Sequence, residues 1–270
     1  MVKYAQDTKF KIHTPLKDDS LLLISLHGTE EVSRPYCFKL GLAADSSTAI
    51  HFDRLLGQKA SVEYQPYEGK ARYFSGIISR LREEGRDDSF TYFGMDLVPQ
   101  FWLLGKRVQC RIFQGMTVPD ILHKVLAGLD VSYQLRGKYP KHNYCVQYCE
   151  SDLAFASRLM EEEGIYFYFT HSSSGEHMVV ADTSTQSPPL SEESTLHFEE
   201  AKGAGIRGQS RIVQWQTSQE ICSSKHVLWD HSFELTGQNL EADASDSRYH
   251  RGGLGKSFLA FGGQSRFDGF

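Results

Sequence analysis

The amino-acid sequence predicts a mainly β protein of the α+β class, with α/β elements inserted between its β regions. Short runs of aromatic and β-branched residues recur between turn signals over residues 20–100. Two amphipathic helical patterns follow, and strand-like runs return after about residue 196. We therefore expect a first β module at 1–100, an inserted α/β region with two helices at 101–185, and a linker with further β structure at 186–270.

The first module is predicted to be an antiparallel meander that closes, or nearly closes, into a barrel. Two groups of turn residues, Pro66–Gly69 and Gly85–Asp88, supply its tight connections, with glycine available where a positive φ is needed. Closure would hide the strand edges from other chains. The predicted strands are Leu21–Leu26, Tyr36–Leu42, Ala60–Tyr64, Arg72–Ile78 and Phe90–Leu97.

The first inserted helix is predicted from its capping residues. Thr117 supplies a capping hydroxyl, Pro119 lies in the first turn, and Asp120 places an acid near the helix N-terminus. Gly128 marks the approximate end. The apolar residues fall on one face at spacings of three and four, which indicates core packing: Ile121, Leu122, Val125, Leu126 and Leu129.

The second inserted helix is predicted over Asp152–Glu163, after a strand at Tyr144–Tyr148. Ser151 can cap its first turn, and Gly164 lies where the helix should end. A further strand follows, so this segment is a strand–helix–strand unit. Its apolar stripe is assigned to the core and not to a cofactor site: Leu153, Phe155, Ala156, Leu159 and Met160.

The C-terminal third is predicted to begin with an exposed linker. Residues 183–194 contain two adjacent prolines and many Ser and Thr residues without periodicity. Strand-like runs at Gly208–Gln216 and Lys225–Leu235 follow, and the sequence then becomes rich in Gly, Ser and Asp. Gly252–Ser257 ends like a phosphate-binding loop, but His250 stands where that motif requires glycine. Nucleotide binding is therefore not expected.

Composition and charge exclude several classes of function. With 40% hydrophobic residues in 270, the chain can build a core. Its formal charge of −5 gives no general attraction to nucleic acid. Residues 1–10 do not resemble a secretory signal, and the longest apolar run is too short to cross a bilayer. We expect a cytosolic origin, without stable membrane insertion, and any export by a route that needs no signal peptide.

The cysteines and histidines give no recognisable metal site. Five cysteines is an odd number, which argues against a disulfide scaffold. Cys145 and Cys149 would lie roughly 13 Å apart on an extended strand, too far for a shared metal or a disulfide, so both are predicted to be free thiols. The sequence contains neither H-E-x-x-H nor G-x-S-x-G. We predict no metal, no cofactor and no catalytic residue.

Three consecutive carboxylates, Glu161, Glu162 and Glu163, end the second helix. Acids beside the negative end of a helix dipole are unfavourable by a few tenths of a kcal/mol each when exposed. One interpretation is a solvated acidic turn with Arg158 nearby at helical spacing. The other is a contact with a basic partner surface, which makes these three residues the candidate site.

Several blocks of the sequence, in consistent order, resemble the VgrG family. These are the spike-tip proteins of bacterial type VI secretion systems, and they share a fold with the tail-hub proteins of contractile phages. The strand–helix–strand unit at Lys141–Phe167 carries most of the resemblance. The other blocks are Arg34–Phe38, Leu55–Gln58, Phe74–Ile78, Trp102–Leu104, Cys110–Gln114 and Trp229–Glu234.

The resemblance implies two tail-hub-like β-barrel modules, of which the second is incomplete in this chain. It also implies a homotrimer whose six similar modules form a ring on a hexameric secretion tube. Such a tip is driven outward by a contracting sheath and delivers effector cargo, with no active site of its own. Two alternatives remain at this stage: the hub of a contractile phage or phage-like particle, and a secreted effector enzyme.

Overall fold

The fold is known from a computed structural model that describes most of the chain up to residue 184 and parts of the remainder. The described residues are 9–16, 20–66, 70–184, 197–198, 211–212, 215, 225–230 and 235–245. Most of the predicted linker at 183–194, most of the predicted strand at 208–216 and the glycine-rich segment at 252–257 lie outside these residues. The division of the chain into parts at 1–100, 101–185 and 186–270 therefore remains a prediction.

The N-terminal part is one six-stranded antiparallel sheet. The strands are β1 (Phe10–His13), β2 (Leu22–His27), β3 (Phe38–Asp45), β4 (Lys59–Tyr64), β5 (Arg72–Arg86) and β6 (Phe90–Val98). Their order is β1-β4-β5-β6-β3-β2. The two edge strands, β1 and β2, approach each other, so the sheet is nearly closed. This confirms the predicted barrel-like, mainly β class.

The predicted meander holds for the pair β2–β3 and for the run β4, β5 and β6, and it fails only between β3 and β4. Strand β3 pairs with β6 and not with β4, and the connection from β3 to β4 contains a 3₁₀ turn at Phe52–Arg54. Strand β1 was not predicted, since its four residues lie between polar neighbours. Strand β5 continues to Arg86, well past the predicted end at Ile78, through bulges whose charged residues carry no apolar alternation.

The tight connection between β5 and β6 is also different from the prediction. Gly85 lies in strand β5 at a bulge and does not supply a positive φ for the turn. The turn is instead stabilised by the Asp87 side chain, whose Oδ1 accepts hydrogen bonds from the backbone N–H groups of Ser89 and Phe90, both at 2.7 Å. An aspartate of this kind closes a turn without help from glycine.

Tyr36 lies at the centre of the contacts around the barrel core. Its side chain is buried, and its hydroxyl donates a hydrogen bond to the backbone oxygen of Ser75 at 2.6 Å. Its ring stacks on Phe38 with centroids 4.6 Å apart. Burial raises the pKa of Tyr36 far above its ordinary value, and the carboxylates of Glu176 and Glu30 raise it further.

This burial predicts a loss of stability at high pH. An unfolded tyrosine ionises above about pH 10, while folded Tyr36 stays neutral, so the unfolded state binds fewer protons there. Stability should fall by up to about 1.4 kcal/mol per pH unit from this group. Tyr36→Phe should cost about 1 kcal/mol near pH 8 through the lost hydrogen bond. Urea unfolding should show that the variant's free energy of unfolding is closer to that of the wild type at pH 11 than at pH 8. The same difference at both pH values would contradict the prediction.

Residues 100–181 contain the two predicted helices and five strands. The helices are α1 (Val118–Val125) and α2 (Asp152–Glu162). Strand β7 (Val108–Phe113) pairs with β9 (Cys145–Ser151), and β10 (Tyr166–Ser172) pairs with β11 (Gly175–Ala181), which is parallel to β8 (Val131–Gln134). A 3₁₀ segment at Gln100–Lys106 leads into β7.

Both predicted helix caps are confirmed. Thr117 and Asp120 form a capping box at the start of α1. Ser151 Oγ accepts a hydrogen bond from the Ala154 backbone at 3.1 Å at the start of α2. Gly164 follows α2 with φ of 66°, a left-handed conformation that glycine adopts without strain.

The two helices enclose a second hydrophobic core, which contacts the barrel through the β10–β11 hairpin. All predicted apolar residues of α1 and α2 are buried, except for Leu129 and Leu153, which are partly buried. His171 of β10 accepts a hydrogen bond at Nδ1 from the Ser75 backbone at 3.1 Å. Its other ring nitrogen lies 2.8 Å from the Glu30 carboxylate. Side chains of the hairpin therefore bond directly to the first sheet.

Four further strands are described in the C-terminal third. They are β12 (His197–Phe198), β13 (Arg211–Ile212), β14 (Lys225–Asp230) and β15 (Leu240–Ser245). Strands β14 and β15 form an antiparallel hairpin in which Lys225 Nζ lies 2.9 Å from Asp243 Oδ2. The strand predicted from Lys225 is thus observed, although it is described as a strand only to Asp230.

Candidate functional site

The predicted acidic site lies at the C-terminal end of α2, where its three carboxylates have different surroundings. Glu162 forms an ion pair with Arg158 at 3.0 Å, one helical turn earlier, and Glu163 lies 3.2 Å from His142. The Glu161 side chain is exposed and makes no ion pair with the described residues. Glu162 and Glu163 therefore each have a side-chain partner, whereas Glu161 has no ion-pair partner among the described residues.

Helix α2 rests on the inner face of the β7–β9 sheet, and the outer face of that sheet is exposed. Large apolar side chains on this outer face remain in contact with solvent, with Tyr148 78% exposed and Val108 64% exposed. Ile112 is 60% exposed on the same strand as Val108. Alternation along β7 explains this, because Gln109 and Arg111 face inward between the exposed positions.

A buried carboxylate connects β7, β9 and α2. Asp152 has no exposed side-chain area, and Arg107 and Arg111 of the β7 segment both donate to its carboxylate. Gln147 of β9, which is also fully buried, donates to Asp152 Oδ1 at 2.8 Å. The Asp152 backbone N–H donates to the Arg107 oxygen at 3.0 Å. A carboxylate at a helix N-terminus is favoured by the helix dipole, so this network fixes the start of α2.

Two thiols meet on the exposed face of the same sheet. The Sγ atoms of Cys110 in β7 and Cys149 in β9 lie 3.2 Å apart, and both residues are exposed. The sequence prediction that Cys145 and Cys149 do not pair is consistent with the fold, since Cys145 is buried. Sequence reasoning missed Cys110 because it is 39 residues from Cys149, and only the β7–β9 pairing brings the two together.

In the described part of the chain, no group of three or more His, Cys, Asp or Glu side chains is arranged to hold a metal ion. Among the helices of that part, none is both long enough and apolar enough to span a bilayer.

Most of this chain matches a known protein family. The model of the phage tail baseplate hub (GPD) family matches residues 29–260. The type VI secretion system spike protein VgrG1b of Pseudomonas aeruginosa is 33% identical over 252 residues. That match covers 91% of this chain and 34% of the relative, so the chain spans about one third of the length of such spike proteins. The resemblance found in the sequence is thereby confirmed.

Solved structures share the fold. A type VI secretion component of Escherichia coli, the c3393 protein, described as similar to the phage T4 tail proteins gp27 and gp5, superposes with a TM-score of 0.60. It is 23% identical, and the match covers 71% of this chain and 53% of that protein. The 43 kDa tail protein of prophage MuSo2 from Shewanella oneidensis gives 0.58 at 14% identity, over 93% of this chain and 71% of its own.

Proposed function

Because this chain belongs to the phage tail baseplate hub (GPD) family, we propose that it is the hub segment of a type VI secretion spike tip. The observation that carries the proposal is its 33% identity to a secretion spike protein over 91% of its own length. The nearly closed six-stranded sheet supports it, since the E. coli secretion component has the same fold. The role is structural, and no residue of this segment is assigned to catalysis.

The proposed action is mechanical. Three copies close into a ring whose similar β modules contact a hexameric secretion tube, and the tip caps that tube. Ring closure is favourable because symmetric assembly covers strand edges and apolar surface that are exposed on one copy. Contraction of a sheath then drives the tip from the bacterial cytoplasm into the surroundings or a target cell, together with effector cargo or its adaptor.

A secretion assay tests this function. Deletion of the gene should abolish release of the tube protein into the medium, and a plasmid copy should restore it. The alternative, a hub of a contractile phage-like particle, is favoured by the similarity to the MuSo2 tail protein. Loss of released particles with unchanged secretion of the tube protein would establish that alternative and contradict the secretion proposal.

Self-association is tested on the purified chain. Light scattering over a concentration series should give a species three times the 30.6 kDa of one copy. A mass of one copy at every concentration would show that this segment does not trimerise by itself.

The acidic end of α2 is proposed to contact a basic partner surface, with Glu161 as the contributing residue. Glu161→Gln should weaken assembly about two- to fivefold, the usual range for one exposed ion pair. Glu162→Gln and Glu163→Gln should have smaller effects, because Glu162 already pairs with Arg158 and the Glu163 carboxylate is already within hydrogen-bond distance of His142. Glu83→Gln, at an exposed glutamate of β5, is the matched control. Equal effects of Glu161→Gln and Glu83→Gln on the assembled mass would contradict this assignment.

A further inference from the structure

We propose that Cys110 and Cys149 form a modification site, a pair of thiols that closes reversibly into a disulfide across β7 and β9. Their Sγ atoms are 3.2 Å apart, and a disulfide requires about 2.05 Å. Closing the remaining distance of roughly 1 Å needs only small side-chain rotations, because the two strands are already hydrogen-bonded neighbours. The inference is independent of the proposed function.

The local backbone turns Cys149 toward its partner. A bulge interrupts the β7–β9 register between Gln109 and Arg111, so Cys110 lies opposite the irregular part of β9. Cys149 has φ of 50° there, which is uncommon for a residue with a side chain. Its N–H donates to Cys110 Sγ at 3.3 Å. The conformation that brings these sulfur atoms together is thus set by the strand pairing.

The pair is distinguished from the other described thiols by both access and proximity. Cys110 and Cys149 lie on the solvent-facing side of the sheet, beside exposed Ile112 and Tyr148, so a small oxidant can reach them. Cys145 lies on the opposite, buried side of β9. Cys37 is exposed near the start of β3, but no other described cysteine forms a sulfur contact with it. Among the described cysteines, only Cys110 and Cys149 are therefore expected to form a disulfide.

The oxidant is a small-molecule disulfide such as oxidised glutathione. One cysteine thiolate attacks a glutathione sulfur, forming a mixed disulfide and releasing one glutathione thiolate. The second cysteine loses its proton and attacks the protein sulfur of the mixed disulfide, releasing the second glutathione. The two cysteines lose two electrons and two protons, and one oxidised glutathione becomes two reduced molecules. A hydrogen bond donated by the Cys149 thiol to Cys110 Sγ, and repulsion between the two sulfur charges, raise the pKa of Cys149, so closure should accelerate as pH rises.

The test uses the purified 270-residue chain equilibrated in mixtures of oxidised and reduced glutathione. Intact mass should fall by two hydrogen atoms, and non-reducing peptide mapping should join the Cys110 and Cys149 peptides. Cys110→Ser and Cys149→Ser should each abolish the bridge, whereas Cys37→Ser should retain it. Cys222→Ser is included because Cys222 lies outside the described residues. The bridged form should melt about 5 to 10 °C higher than the reduced form, since the loop it closes spans 39 residues.

Two outcomes would overturn the proposal. One is separate addition of glutathione to Cys110 and Cys149 without a joined peptide, in a sample that circular dichroism shows to be folded. The other is a joined peptide that contains Cys37, Cys145 or Cys222 in place of either member of the pair. If the bridge forms in the Cys37→Ser and Cys222→Ser variants but in neither pair variant, the site is established.

Discussion

Replacing Phe155 by alanine is expected to lower the free energy of unfolding by about 3 to 5 kcal/mol, the usual cost of deleting a buried aromatic ring. The Phe155 side chain is completely buried in the core between the two helices. Its ring stacks on Phe113 with centroids 5.6 Å apart and planes at 17°. Alanine would leave a cavity between α2 and β7 that neighbouring side chains can fill only in part.

Urea unfolding monitored by far-ultraviolet circular dichroism would measure this loss. Helix α2 packs against the 3₁₀ segment at Gln100–Lys106, so loss of its helical signal reports on this core. Tyr148→Ala is the matched control, because that ring is 78% exposed and its removal should change stability by no more than about 0.5 kcal/mol. Equal losses in Phe155→Ala and Tyr148→Ala would show that α2 does not pack as described.

The helices were predictable from sequence because their determinants are local. A capping box, an N-cap serine and a terminal glycine each act within a few residues, and Thr117, Ser151 and Gly164 all occupy the expected places. Apolar spacing identified the buried stripes for the same reason. The mainly β class was predictable as well, since turn signals and β-branched runs recur throughout residues 20–100.

Strand order and the contacts on the candidate site were not predictable, because they depend on long-range pairing. Nothing within β3 indicates that its partner is β6, more than 40 residues later. The pairing of β7 with β9 places Cys110 beside Cys149, and the fold places Arg107 beside Asp152. For the acidic turn, sequence correctly indicated that Arg158 lies within reach of the carboxylates, but it could not show that His142 lies beside Glu163.

Replacing Asp152 by alanine should lower the free energy of unfolding by about 3 kcal/mol. The substitution removes the buried carboxylate of an ion-pair network and leaves its partners in place. Asp152 is fully buried, and it accepts hydrogen bonds from Arg107, Arg111 and Gln147. Removing it leaves the buried Gln147 amide with one partner fewer and both guanidinium groups without their carboxylate. The expected loss is at the lower end of the range for buried pairs, because the Arg107 side chain is 51% exposed and can regain water.

The Asp152→Asn variant removes the negative charge of the side chain but keeps its shape, so it measures the contribution of the charge to stability. Asparagine keeps the volume and one acceptor oxygen but pairs weakly with two guanidinium groups, so its loss should be smaller, about 2 kcal/mol. The negative charge also favours the N-terminus of α2, and both variants lose that contribution. Glu31→Ala is the control, since the Glu31–Arg34 pair is exposed at 3.3 Å and should contribute no more than about 1 kcal/mol.

Salt dependence distinguishes the buried network from a surface ion pair. Exposed charges are screened at about 0.5 M salt, whereas a pair that includes a fully buried carboxylate is screened much less. Urea unfolding at low and high salt should therefore show an Asp152→Ala deficit that persists, and a Glu31→Ala deficit that shrinks toward zero. An Asp152→Ala deficit that disappears with salt would mean that water reaches the carboxylate, and that apolar packing against β7 and β9 fixes the start of α2 instead.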